Sequence, residues 1–195
     1  MRFLISFIIV LLLNASCAGT ANTAKNIEDG DNDMQISIFD GSALKNIKGS
    51  KHKFVAEHNI SSDYYGVIFI TKKGFYPKAV LFKSTGRPVE MDKPDLKRLK
   101  ETNVGILTGV VYKAVTGGKI REHNGIITTF KDELVTFMKD FFPHTAVTDE
   151  NGIFMILLDA GEYNIVFGSK ETGKITIEPG KTVIKNIQKG LRLID

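Results

Sequence analysis

The chain predicts a mainly β fold: a β-sandwich with a short helical insertion, preceded by a smaller β module. Three observations carry that expectation. Short apolar or alternating runs, rich in β-branched and aromatic residues, recur from Gln35 onward. Turn signals built on glycine, asparagine and aspartate separate them. One stretch alone, residues 131–142, spaces its apolar side chains as a helix would.

Residues 35–87 form the smaller module. Ile36 and Ile38 alternate with Ser37, and residues 54–56 (FVA) and 64–71 (YYGVIFIT) follow as further strands. Lys72-Lys73-Gly74 marks a turn, after which residues 75–82 resume the β pattern. Residues 88–103 break it with Pro88, Pro94 and a run of charges, and read as a linker. Asp92 and Pro94 suit the cap and first turn of a short helix reaching Leu99.

Residues 104–195 carry a longer β pattern. Strands are expected at 105–115, 124–129, 152–159, 162–168, 174–178 and 182–194, with turns at 116–118, 149–152, 159–161 and 178–180. Within it, Phe130, Leu134, Phe137, Met138 and Phe141 recur at helical spacing, charged residues cover the other side, and Pro143 closes the run. The strand at 153–158 is apolar at every position, so both its faces need cover. A helix at 131–142 laid over its outer face would supply that, with Phe137 and Phe141 as core residues.

Hydrophobic content of 43% supports a real core. The net charge of +4 is modest, dominated by lysine and spread along the chain. Its densest cluster, Lys93, Lys97, Arg98 and Lys100, is interleaved with Asp92, Asp95 and Glu101. That is a solvated face rather than a basic stripe, and no nucleic-acid partner is expected.

The first seventeen residues, MRFLISFIIVLLLNASC, have the layout of an export signal: Arg2, then an apolar run at residues 3–13, then small residues. The apolar run is too short for a roughly 30 Å hydrocarbon core, and no later stretch is long and apolar enough to span. Leu13-Asn14-Ala15-Ser16-Cys17 resembles a bacterial lipobox, departing from it at Asn14. That resemblance implies lipid attachment at Cys17 and membrane partnership through the anchor; cleavage near Ala18 or Ala21 is the alternative. Cys17 is the only cysteine. By either route the mature chain keeps no free thiol, which excludes thiol catalysis and zinc–thiolate sites. Residues 18–34 are small, polar and acidic, and are expected to be a flexible tether.

Residues 109–112 (GVVY), 116–120 (TGGKI), 148–154 (TDENGIF) and 160–165 (AGEYNI) are similar, in order and spacing, to the carboxypeptidase regulatory-like domain. The resemblance covers roughly residues 104–195 and implies a transthyretin-like Greek-key β-sandwich. Two departures stand out, the insertion before Thr148 and the absence of a proline before Gly161. Residues 64–77 are similar to the closing strands of such a domain but lack the preceding T-D-x-x-G-x-F pattern.

No catalytic constellation emerges. The residues three positions after His52, His58, His123 and His144 are Val55, Ser61, Ile126 and Val147, none a glutamate, and there is no HExxH. A GxSxG elbow and a P-loop are absent. Asp29, Asp31, Asp33 and Asp40 imitate calcium-loop spacing, but Met34 stands where such a loop needs glycine. Asp149-Glu150-Asn151-Gly152 reads as a hairpin turn. The expectation is a non-catalytic cell-envelope lipoprotein without metal or cofactor, acting through its sandwich as a binding or assembly module with an envelope protein partner. The alternative is a carbohydrate- or peptide-binding accessory module, for which Tyr64, Tyr65 and Tyr76 are the available surface aromatics.

Overall fold

The structure, a computed structural model, describes residues 34–47, 53–56, 58, 60–116, 125–168 and 170–193. Regular structure among them is entirely β. In chain order the strands are β1 (Gln35–Phe39), β2 (Leu44–Ile47), β3 (Lys53–Ala56), β4 (Tyr65–Thr71), β5 (Lys78–Lys83), β6 (Val89–Asp92), β7 (Val104–Thr116) and β8 (Ile126–Thr129). They continue as β9 (Leu134–Lys139), β10 (Phe142–Val147), β11 (Ile153–Asp159), β12 (Gly161–Phe167), β13 (Lys170–Ile177), β14 (Thr182–Ile184) and β15 (Ile187–Leu193).

β7 is the centre of the molecule. One of its edges carries β11 and then β8, both antiparallel; the other carries β14 and then β15, both parallel. A second sheet, ordered β10-β9-β12-β13, packs against this one. The chain leaves it after β10, crosses to the first sheet as β11, and returns as β12 beside β9. Leu107 and Val111 of β7 and Phe154 of β11 meet Val135 and Phe137 of β9 and Tyr163 of β12 in one buried core. This pair of sheets is the sandwich, and the mainly β expectation holds.

The other face of β7 is buried too. β5-β4-β1-β2 form a sheet that joins the first through a single register pair, Tyr65 of β4 opposite Ile126 of β8. There the hydrogen-bonded sheet folds over itself. Val67 and Phe69 of β4 and Phe39 of β1 therefore pack on Val110, Tyr112 and Ala114 of β7, with the Phe39 and Tyr112 rings edge-to-face at 5.0 Å. The fold-over needs two backbones to touch. A Cβ on Gly41 (φ +86°) would lie 2.6 Å from the Gly125 carbonyl oxygen, so only glycine fits that left-handed position. Ile36, Ile38, Ile68 and Ile70 turn the opposite way and are covered by Leu96, Phe82, Val89 and Met91.

Both expected helices are corrected. Residues 131–142 form no helix: β9 and β10 are an antiparallel hairpin with Phe142 opposite Lys139 and Val147 opposite Leu134. Val135 and Phe137 point inward while Leu134 is exposed, which is the period of a strand. Phe137 is in the core as expected, but Phe141 is 92% exposed. The outer side of β11 is covered in part by the folded-over sheet, through Ile153, and Met155 stays 46% exposed. No helix starts at Asp92 either. β6 pairs with β3, and the segment after it is strapped across the β4–β5 turn. Tyr76 N–H donates to the Lys97 carbonyl and Leu99 N–H to the Gly74 carbonyl, each at 2.8 Å. Pro94 removes one donor and disfavours helix at the residue before it, while buried Leu96 and Leu99 hold the strap extended.

Candidate functional site

Four of the seven exposed large hydrophobics among the described residues, Leu134, Phe141, Phe142 and Val147, lie on the β9–β10 hairpin. Leu134 and Val147 pair at its open end, while Phe141 and Phe142, the two most exposed, lie together at its turn and mark that end as the candidate interaction surface. The hairpin forms because Val135 and Phe137 anchor β9 in the core and Ala146 anchors β10. Asp140 takes the left-handed conformation (φ +54°) that reverses the chain, which aspartate tolerates better than most residues. The reversal leaves Phe141 in the turn and Phe142 at the first position of β10, 92% and 73% exposed.

The projecting end is braced from below. Lys139 Nζ donates to the Ala160 carbonyl at 2.9 Å and lies over the Tyr163 ring. His144 meets the same ring edge-on at 5.6 Å. Tyr163 donates its hydroxyl proton to the Asp159 carbonyl at 3.0 Å. Burial, then the nearby Asp159 charge, raises the Tyr163 pKa, so the phenol stays a donor. β10 pairs with β9 alone among the described strands, so its other edge is open. Pro143, lacking an N–H, blunts that edge against indiscriminate strand addition.

Two shallow grooves lie elsewhere on the described surface. One, of about 370 Å³, is at the opposite end of the sandwich between Glu133, Leu134, Thr136, Phe167, Gly168 and Lys189, with a Lys189–Glu133 ion pair beside it. The other, of about 220 Å³, is lined by Gln35, Thr71, Lys72, Lys73, Lys181 and Thr182. It sits where the β4–β5 turn meets the β13–β14 turn, joined by the Gly74 N–H donating to the Gly180 carbonyl at 2.7 Å.

The sequence-level candidates disperse. Cys17, His52, His123, Asp29, Asp31 and Asp33 lie outside the described residues. His58 sits within 3.1 Å of the Arg87 carbonyl, far from His144 in the chain and in contact with different neighbours. Asp40 is buried and fully engaged: its carboxylate accepts from Ser42 N–H, Ser42 Oγ and Ala43 N–H, and from Lys45 Nζ at 2.8 Å. Burial alone would raise its pKa, but these donors outweigh that and bring it down to about 2. It closes the β1–β2 turn. Asp149 likewise spends one carboxylate oxygen on the Asn151 and Ile153 amides, and Gly152 (φ +74°) completes that turn. Among the described residues no three His, Cys, Asp or Glu side chains gather as a metal site would require. Tyr65 packs against the folded-over core and Tyr76 lies under Lys97, so neither offers a bare ring for stacking on sugar.

The aromatic pair at the hairpin end was absent from the sequence-level candidates. Its signal was the turn-prone Asp140 between the alternation of residues 134–139 and Pro143.

No family model matches the chain, and no curated protein does. Among solved structures it is similar to the Bacillus anthracis TIE protein, at 14% identity and a TM-score of 0.33, over 80% of this chain and 34% of that one. It is also similar to GBS52, the minor pilin of the Gram-positive pathogen Streptococcus agalactiae, at 13% identity and a TM-score of 0.29, over 80% of this chain and 81% of that one. The chain thus spans about a third of the length of the TIE protein.

Proposed function

We propose that this chain is a non-catalytic binding module of the cell envelope, exported, lipid-anchored through Cys17, and engaging its target through the β9–β10 hairpin. One observation carries the reading: the hairpin holds two phenylalanines out in solvent on a braced, well-packed base. Exposing such rings is costly for an isolated protein, and apolar surface gathered in one place marks a contact surface. The N-terminal layout supplies the address, and the order of motifs from residue 104 supports a relationship to carboxypeptidase regulatory-like sandwiches.

The test has two arms. Cys17→Ser should release the protein from the membrane fraction or leave it as unprocessed precursor. A mature protein that is water-soluble, acyl-free and starts after Ala18 or Ala21 refutes the anchor. A photo-cross-linking residue at position 141 should give adducts with an envelope component in intact cells, and the same residue at position 150 should not. Equal adducts from both positions refute the hairpin as the contact.

A further inference from the structure

We infer that the β9–β10 hairpin end is a bilayer contact: Phe141 and Phe142 enter the interface of the membrane while Lys72 and Lys73 meet phospholipid phosphates. This names the target of the surface proposed above and rests on that reading.

The geometry follows a short path of contacts. Gln35, the first residue of β1, lies opposite Thr71, the last of β4. The turn after Thr71 donates from Gly74 N–H to the Gly180 carbonyl, and Gly180 N–H donates to the Val104 carbonyl at 2.8 Å. Next to Val104, the Asn103 carbonyl accepts from Ala160 N–H at 3.3 Å. The Ala160 carbonyl accepts from Lys139, which is one residue from the hairpin turn. The point where the polypeptide joins the sandwich and the projecting phenylalanines therefore share one end of the fold. Seventeen residues, 18–34, separate Cys17 from Gln35. If they behave as the tether their composition implies, their root-mean-square reach is roughly 20–25 Å. An anchor at Cys17 would hold this end, rather than the Asp149–Gly152 end, within reach of the bilayer. Tethering of that kind raises the local concentration enough for a weak contact to be occupied.

The chemistry of the rim agrees. Phenylalanine partitions into the interface, and lysines near an anionic surface are attracted within a Debye length. Lys73 is exposed, and Lys72 lies over the Phe75 ring with its ammonium within reach of the same groove. Lys181 is paired with Glu178. Asp140 lies in the turn itself, and exposed Glu162 stands on β12 two residues before Asn164, the partner of Met138, which favours seating at headgroup depth over deep insertion.

The chain has no tryptophan, so Phe141→Trp and Glu150→Trp each place a single indole reporter at opposite ends of the sandwich. Each variant of the full chain, purified from membranes, is reconstituted into vesicles of phosphatidylcholine alone or with phosphatidylglycerol. The inference expects emission from the reporter at position 141 to shift to the blue and to lose quenching by aqueous acrylamide. The change should be larger with phosphatidylglycerol, while the reporter at position 150 stays wet. Lys72→Glu with Lys73→Glu should remove the phosphatidylglycerol preference. A reporter at position 141 as wet as the one at position 150 in both vesicles overturns the bilayer contact, as does equal shielding of the two. If solubilised envelope protein then shields the reporter at position 141, the hairpin reading survives with a protein partner. If it does not, both fall.

Discussion

Phe137 and Phe141 stand four residues apart, and a helix would bury both; the hairpin buries one and projects the other. Phe137 is fully buried, its ring 5.8 Å from that of Phe154. Truncation to alanine removes the whole ring from a core with β-strands on both sides, where little collapse can fill the space. Phe137→Ala should therefore cost about 3–5 kcal/mol. For a domain of this size that corresponds to a fall in Tm of roughly 6–20 °C. Phe141→Ala removes a ring already 92% in water and should change stability by less than about 0.5 kcal/mol. Urea titration followed by far-ultraviolet circular dichroism measures both variants against the parent. A Phe141→Ala protein that loses more than about 2 kcal/mol would refute the hairpin and restore the helical packing, and a Phe137→Ala protein within about 1 kcal/mol of wild type would contradict both packings.

Two further perturbations test other parts of the structure. The folded-state pKa of Asp40 is depressed from 3.8 to about 2, so its contribution is fully present above pH 3.8 and is lost as pH falls towards 2. It amounts to about 2 kcal/mol. Asp40→Asn should flatten the stability profile across that window, and an unchanged profile in urea melts from pH 5 to 2 counts against the buried turn. A fragment of residues 104–195 should unfold cooperatively, because its inner core is complete, yet self-associate through Val110, Tyr112 and Ile153, bared by loss of the β5-β4-β1-β2 sheet. A monodisperse monomer by light scattering would contradict that cover.

The strands were legible because their signal is local. β4, β11 and β12 fall within a residue of where β-branched runs and flanking turns place them. Residues 131–142 misled because two periods coincide there. Leu134, Phe137, Met138 and Phe141 fit a helical face, but that face leaves out Val135, which is completely buried. Strand alternation accounts for Val135 and Phe137 together and leaves Leu134 exposed. Tertiary packing, rather than the spacing of the larger side chains, decided the outcome. The aromatic pair went unseen for the same reason, since a helix reading spends Phe141 on the core. The strap at residues 93–99 was hidden by its charges, because Leu96 and Leu99 are its only large apolar residues.

The fold-over was the least legible feature, and it determines where the candidate site lies. It depends on Tyr65 meeting Ile126, a pairing across sixty-one residues that no local pattern encodes. The sequence offered one indirect hint. Residues 105–112 of β7 (GILTGVVY) contain no charged residue, and a strand without a polar face needs a layer on each side; the structure buries all eight. Had the joined sheet continued flat, β4 would run on past the C-terminal end of β7, and Gln35 would emerge at the end opposite the hairpin turn. Instead β4 turns back along β7, and Gly41 lies against Gly125 beside the junction. That reversal carries the Lys72–Gly74 turn to Gly180 and sets the start of β1 beside the end that bears Phe141. A side chain at Gly41 would therefore strain more than a turn: it would loosen a junction between the parts of the fold that bear the start of β1 and the exposed aromatic rings.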